Sequence, residues 1–144
     1  MKFPPWLAVY GDQDWRGRCP KEHVELASWF SKLRREHPTT YGMIAFHPRN
    51  EGQKIAGQFS VVLQQKAEGM TPGAPDIIIP ASPAFLCELK RCDHTQSSWQ
   101  PGQLEYLEAA RDAGSFVCAA LGARAAWDAF QSWLMIRTAT ISNS

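Results

Sequence analysis

The chain lacks any apolar run approaching the roughly 20 residues that a membrane-spanning helix requires, which argues against a helical membrane protein. It has few cysteines. Cys19, Cys87, Cys92 and Cys118 match no disulfide framework, and 144 residues can bury a core without staples. Reduced thiols are therefore expected. A zinc site built from Cys87, Cys92 and His94 would need a second closely spaced pair of ligands, which the sequence does not offer. No charge sign dominates: 15 Lys and Arg stand against 14 Asp and Glu. Net charge therefore neither implies nor excludes a polyanionic partner. The opening MKFPPWLAVYGDQDW has one Lys, early prolines and then acids, unlike a secretory signal, so a cytoplasmic location is expected.

With 44% hydrophobic and 20% charged residues, the composition is that of an ordinary globular protein, and the length suits one core. The pattern divides into an irregular arm (1–20), a single domain (21–135) and a frayed tail (136–144). Trp6, Tyr10 and Trp15 are expected to pack the arm onto the domain. The basic residues are distributed unevenly. Residues 1–72 hold ten Lys and Arg against seven acids, and the remainder five against seven, which fits a phosphate-contacting surface on one side.

Residues 69–91 (GMTPGAPDIIIPASPAFLCELKR) organise the rest. Ile77, Ile78 and Ile79 form the β-branched run of a strand buried on both faces. Residues 80–83 (PASP) turn the chain. Residues 85–90 then alternate, with Phe85, Cys87 and Leu89 on one side and Leu86, Glu88 and Lys90 on the other. Folding about Ser82 pairs residues whose numbers sum to 164, so Asp76 lies opposite Glu88. Two carboxylates directly opposed on a sheet repel, and burying them unpaired is costly. A cation between them resolves the conflict. Oxygen ligands alone select a hard ion, Mg²⁺ or Mn²⁺, which leaves room for water and phosphate. Lys90 projects from the same face as Glu88 and could hold a phosphate or an attacking water. The competing reading makes Asp76 a loop residue and Lys90 a surface salt-bridge partner of Glu88.

Along the chain, a helix is expected over 21–36, with Leu26, Trp29, Phe30 and Leu33 as its apolar stripe. Glu22 and Glu25 lie on its first turn, where acids suit the helix dipole and where one of them could supply a third carboxylate. Residues 42–47 (GMIAFH) read as a strand and 54–68 as a helix buried against the sheet. Residues 91–99 form a polar loop in which His94 is a candidate general acid. A helix follows from Pro101, then an apolar strand over 115–121 and an amphipathic helix over 124–134. The order is α-β-α-β-β-α-β-α, an α/β fold with a mixed sheet of about four strands flanked by helices.

PGAPD, eleven intervening residues and ELK resemble the core of the PD-(D/E)xK nuclease superfamily, and more closely its virus-type replication-repair nuclease domain, VRR-NUC. The resemblance spans roughly 22–134. It implies a restriction-endonuclease-like core and metal-dependent hydrolysis of DNA phosphodiester bonds. Asp76, Glu88 and the backbone carbonyl of Leu89 would bind Mg²⁺ or Mn²⁺, and Lys90 would serve the attacking water. The family's first-helix glutamate registers on Glu25, although Leu26 stands where a Gln often follows. Gln103, preceded by Ser98, Gln100 and Pro101, is a near match to its Ser-x-x-Gln, and by that resemblance would orient the attacking water or a phosphate beside Lys90. The family's Pro-Asn-Gly-Gly turn is degraded here to HPRNEG. Arg49, Asn50, Lys54 and Arg91 are candidates for phosphate contact. Stand-alone members resemble phage nucleases acting on branched DNA such as four-way junctions, in a bacterial or phage-infected cell. A symmetric junction calls for two active sites, hence a homodimer. The alternative is a nucleic-acid-binding module without turnover. No stretch is long enough for a base-reading insert of the restriction type.

Overall fold

The computed structural model describes residues 1–48 and 59–142. Arg49, Asn50 and Lys54 lie outside the described residues. The described elements are β1 (Ala8–Tyr10), α1 (Glu22–Glu36), α2 (Tyr41–Ile44), α3 (Phe59–Ala67), β2 (Ile77–Ile79), β3 (Phe85–Lys90), a 3₁₀ turn (His94–Gln96), α4 (Gln103–Asp112), β4 (Phe116–Leu121) and α5 (Ala123–Ser142).

The four strands form one mixed sheet in the order β1-β4-β3-β2. β4 is parallel to both β1 and β3, and β2 is antiparallel to β3. β3 therefore lies inside the sheet, and all six of its residues are buried. Strand alternation divides them between two cores. Phe85, Cys87 and Leu89 join Cys118 and Ala120 beneath α1 and α5, around Trp29, Phe130 and Trp133. Leu86 joins Val117 and Ala119 beneath Leu107 of α4 and Leu7 of the arm. Glu88 and Lys90 share the face of Leu86, so the fold places two charged side chains inside the α4 layer. α5 also holds the hairpin turn. The Trp133 indole N–H donates to the Pro83 carbonyl at 2.9 Å, and Arg137 Nη1 donates to that of Ser82 at 3.1 Å.

Four strands are present, but one is not the strand expected. Residues 42–47 do not form a strand. Tyr41–Ile44 is a short helix, because Tyr41 packs among His37, Phe130 and Trp133 and turns the chain there. Gly42 closes against α1, with its Cβ position 2.5 Å from the His37 carbonyl oxygen. Only Phe46 pairs, as an isolated antiparallel bridge to Ile78. The fourth strand comes instead from the arm. Ala8, Val9 and Tyr10 pair with Cys118, Ala119 and Ala120. The arm is otherwise packed as expected, with Phe3 edge-on to His94 and Trp99 and Trp6 under the Arg111 guanidinium.

Two further expectations are corrected. Val61 and Leu63 of α3 are exposed rather than buried against the sheet. The tail is helical through Ser142, and the hydroxyls of Thr138, Thr140 and Ser142 each bond the carbonyl four residues back at 2.9 Å. No helix among the described residues is long and apolar enough to cross a membrane.

Candidate active site

The hairpin carries the site. Ile77, Ile78 and Ile79 pair with Cys87, Leu86 and Phe85, so paired numbers sum to 164 as the turn chemistry predicts. Continued by one residue, the ladder sets Asp76 beside Glu88. Asp76 Oδ2 accepts the Leu89 backbone N–H at 2.8 Å. A strand residue directs its N–H and C=O to the same edge, so the Leu89 carbonyl faces the same side as Asp76, beyond the end of β2. Glu88 is 2% exposed. Its Oε1 accepts from Gln103 Nε2 at 2.8 Å and lies 3.4 Å from Lys90 Nζ. Its Oε2 is buried with no donor.

Burial pushes the Glu88 carboxyl well above the usual range, and the neighbouring Asp76 charge adds to this while Lys90 opposes it. Burial also raises Asp76, against the pull of the Leu89 N–H. The two groups therefore resist being anionic together. A proton shared between them or a cation would satisfy Glu88 Oε2. Asp76, Glu88 Oε2 and the Leu89 carbonyl are an all-oxygen set that fits a hard divalent ion.

Lys90 is 2% exposed. Its Nζ donates to the Ser98 carbonyl at 2.9 Å and to Gln103 Oε1 at 3.0 Å, and lies 4.9 Å from the Trp99 ring centre. Gln103 is committed at both ends. Its Oε1 also accepts the Gln100 N–H at 2.8 Å, while its Nε2 serves Glu88. A flipped amide would set an NH₂ against the Lys90 ammonium, so the charges decide its orientation. The loop before β2 locks α4 in place. A Cβ on Gly73 would lie 2.3 Å from the Gly102 carbonyl carbon and oxygen and 2.7 Å from the Gln103 nitrogen.

No family model matches the sequence, and no curated protein matches it. The fold does find a counterpart. A solved structure described as a VRR_NUC domain protein superposes with a TM-score of 0.65 at 17% identity, covering 84% of this chain and 92% of that one. The fold is the VRR-NUC fold. Asp76, Glu88, Lys90 and Gln103 meet at one end of its central hairpin.

The other expected site residues of this VRR-NUC fold lie elsewhere. Glu25 does not reach Asp76 or Glu88: its Oε2 accepts the backbone N–H of Ala123, the first residue of α5, and stands over Gly122. A carboxylate there satisfies an orphan donor and the positive end of a 20-residue helix. Glu22 is also occupied, its Oε1 accepting from Ser97 Oγ at 2.7 Å while Ser97 Oγ takes the Arg91 N–H at 3.0 Å. Among the described residues no three His, Cys, Asp or Glu side chains gather to hold a metal, which also removes the zinc reading. Glu25→Gln is expected to lower stability by about 1 kcal/mol through the weakened cap, measured by thermal melts, and an unchanged melting temperature would mean that the cap contributes nothing.

Arg91 is partly occupied by the arm, donating from Nη2 to the Cys19 carbonyl at 2.7 Å. His94 is buried, with Nε2 at 3.0 Å from the Gln13 carbonyl, so it does not face a substrate as a general acid. The four cysteines are free thiols, with Cys87 and Cys118 opposite each other in the core.

Three contributors escaped the sequence. Ser98 acts through its carbonyl, Trp99 through its ring, and His47 through a bond to the Asp76 backbone. A carbonyl ligand has no side-chain signature, and His47 sits in the degraded HPRNEG turn. The arm was expected to pack on the domain, with contact to DNA as the alternative. It also braces the loop beside Lys90: Asp93 accepts the Gly17 N–H at 3.2 Å, and Trp99 donates to the Lys2 carbonyl at 2.8 Å.

Proposed function

We propose that the protein is a Mg²⁺- or Mn²⁺-dependent deoxyribonuclease that hydrolyses phosphodiester bonds, with branched DNA as its preferred substrate. The observation that carries the reading is the opposed pair of half-buried Asp76 and buried Glu88, whose Oε2 has no donor, set beside the buried Lys90 ammonium. Evolution rarely keeps opposed acids and a buried cation on a central strand for stability, because apolar residues of similar volume serve at least as well. The nuclease in the name of the VRR_NUC domain protein supports the same class of activity.

Asp76, Glu88 and the Leu89 carbonyl would hold the ion. When bound, it lowers the pKa of a coordinated water and neutralises charge developing on the phosphorane. Lys90 offers its ammonium to the scissile phosphate and orients the attacking water. Gln103 acts one step back, keeping Glu88 and Lys90 in register through its two amide atoms. Arg91 is a further candidate for phosphate contact, as are Arg49, Asn50 and Lys54 on sequence grounds alone, since those three lie outside the described residues. Two subunits, one on each side of a symmetric junction, would supply the two incisions that its resolution requires.

A second reading, a DNA-binding module without turnover, draws on the same geometry. A proton shared by Asp76 and Glu88, with Lys90 donating to Ser98 and Gln103, is a self-contained arrangement that needs no metal. Incubation with four-way-junction, nicked and linear DNA in Mg²⁺, Mn²⁺ or chelator separates the two. Incision of the junction with either metal and none with chelator is expected. Binding without incision under every metal condition would establish the second reading.

A further inference from the structure

His47 makes a bond that the main chain cannot make. Phe46 and Ile78 form a hydrogen-bonded antiparallel pair, exchanging N–H···O contacts of 2.9 and 3.0 Å. In such a ladder the next hydrogen-bonded pair lies two residues on, which sets residue 48 opposite Asp76. Residue 48 is proline and has no N–H to give. The Asp76 carbonyl is then left at the open edge of β2. His47 Nδ1 lies 2.8 Å from that oxygen and 4.0 Å from Asp76 Oδ1. A carbonyl can only accept, so Nδ1 carries the proton and donates it.

Asp76 is thereby held from both edges of the strand. The imidazole fixes its carbonyl, and the Leu89 N–H fixes its carboxylate at 2.8 Å. One residue beyond the end of β2, Asp76 has no other ladder to hold its backbone in the direction that faces Glu88. The His47 side chain is 42% exposed, so it contributes little to the core, and among the described residues its directed contact is with the residue whose aim matters most.

We propose that His47 is a positioning residue for Asp76, substituting for the proline's missing N–H and thereby setting the affinity of the Asp76–Glu88 pair for a divalent cation. The proposal rests on the nuclease reading above and adds a residue to it. Partners that orient a metal's carboxylate ligands are typically worth 10- to 100-fold in metal affinity.

The test is a calorimetric titration of the full chain with Mn²⁺ in the absence of DNA, using two nearly isosteric replacements. His47→Leu removes the donor and His47→Asn keeps one close to the Nδ1 position. His47→Leu is expected to bind Mn²⁺ at least about tenfold more weakly than wild type, with its melting temperature nearly unchanged. His47→Asn is expected to recover most of the affinity. A third variant restores the donor from the backbone. His47→Leu with Pro48→Ala returns an N–H opposite Asp76 and should regain affinity although the imidazole is absent. Equal Mn²⁺ affinity in wild type and His47→Leu overturns the role of His47. Equally weak binding in His47→Leu and His47→Asn overturns it too, because the donor would not be what matters. A wild-type protein that binds no Mn²⁺ removes the nuclease reading and this inference together. Should His47→Leu fail to fold, His47→Ala replaces it in each comparison.

Discussion

Glu88→Gln is expected to lower metal-dependent cleavage by about 10³-fold, roughly 4 kcal/mol of barrier, while making the metal-free protein more stable at neutral pH. The two effects share one cause. Glu88 is buried, and its Oε2 finds no donor. An amide keeps Oε1 as acceptor for Gln103 and Lys90 and places an NH₂ donor toward Asp76 where the carboxylate had none. It cannot ligate a hard cation with the same charge. The stability gain should depend on pH in a definite direction. Folding raises Glu88 from its ordinary value of 4.5, and raises Asp76 as well, so the folded state binds more protons than the unfolded one. The stability associated with the protonated pair is fully present below the ordinary carboxylate range and is lost as pH rises through the raised values. The melting temperature of Glu88→Gln minus that of wild type should therefore widen between about pH 5 and about pH 8 in chelator, and shrink when Mg²⁺ is added to the wild-type protein. A difference that narrows with rising pH would mean that Glu88 is already ionised and satisfied in the folded protein.

Gly73→Ala is expected to be the most damaging Gly→Ala change among the described residues. Gly73 has φ +83°, which costs a residue with a Cβ about 1 kcal/mol. The larger effect is steric. The new carbon would meet the Gly102 carbonyl at 2.3 Å, and backbone cannot swing aside as a side chain can. The loop before Asp76 and the first turn of α4 must separate, which takes Gln103 away from Glu88 and Lys90. A total loss of about 3 kcal/mol is expected, with cleavage falling in the surviving folded fraction as well. Gly69→Ala provides the control. Its φ is +99°, but nothing lies within 4 Å of its Cβ position, so it should cost only about 1 kcal/mol and leave cleavage intact. Similar melting temperatures for the two variants would show that the loop and α4 are not locked together there.

The hairpin was legible because its information is local. Three isoleucines, a Pro-Ala-Ser-Pro turn and a period-two strand define register without reference to the rest of the chain, and register alone makes Asp76 and Glu88 neighbours. The same alternation set Lys90 on the face of Glu88, while its burial came from the packing of α4 and the loop before it. Residues 42–47 misled because a short run of mixed apolar residues is compatible with helix or strand, and the deciding contact, Tyr41 against Phe130 and Trp133, spans about 90 residues of sequence. β1 was missed for the opposite reason. Ala-Val-Tyr is too short to read as a strand, and it pairs only because β4 offers an open parallel edge.

Glu25 shows where local reading ends. An acid on the first turn of a helix suits three roles equally well in sequence: a dipole partner, a cap for another helix, or a metal ligand. The choice depended on where α5 begins relative to α1, which is a matter of how the two helices pack together on one face of the sheet. The sequence by itself determined the register that opposes two acids and sets a lysine beside them, since side-chain direction along a strand follows from counting. Only the tertiary structure decided which groups surround that trio: the Gln103 amide, the Ser98 carbonyl, the Trp99 ring and the His47 imidazole. Those contacts join different elements and loops at irregular separations, and their partners include backbone atoms that every residue carries, so no residue pattern announces them.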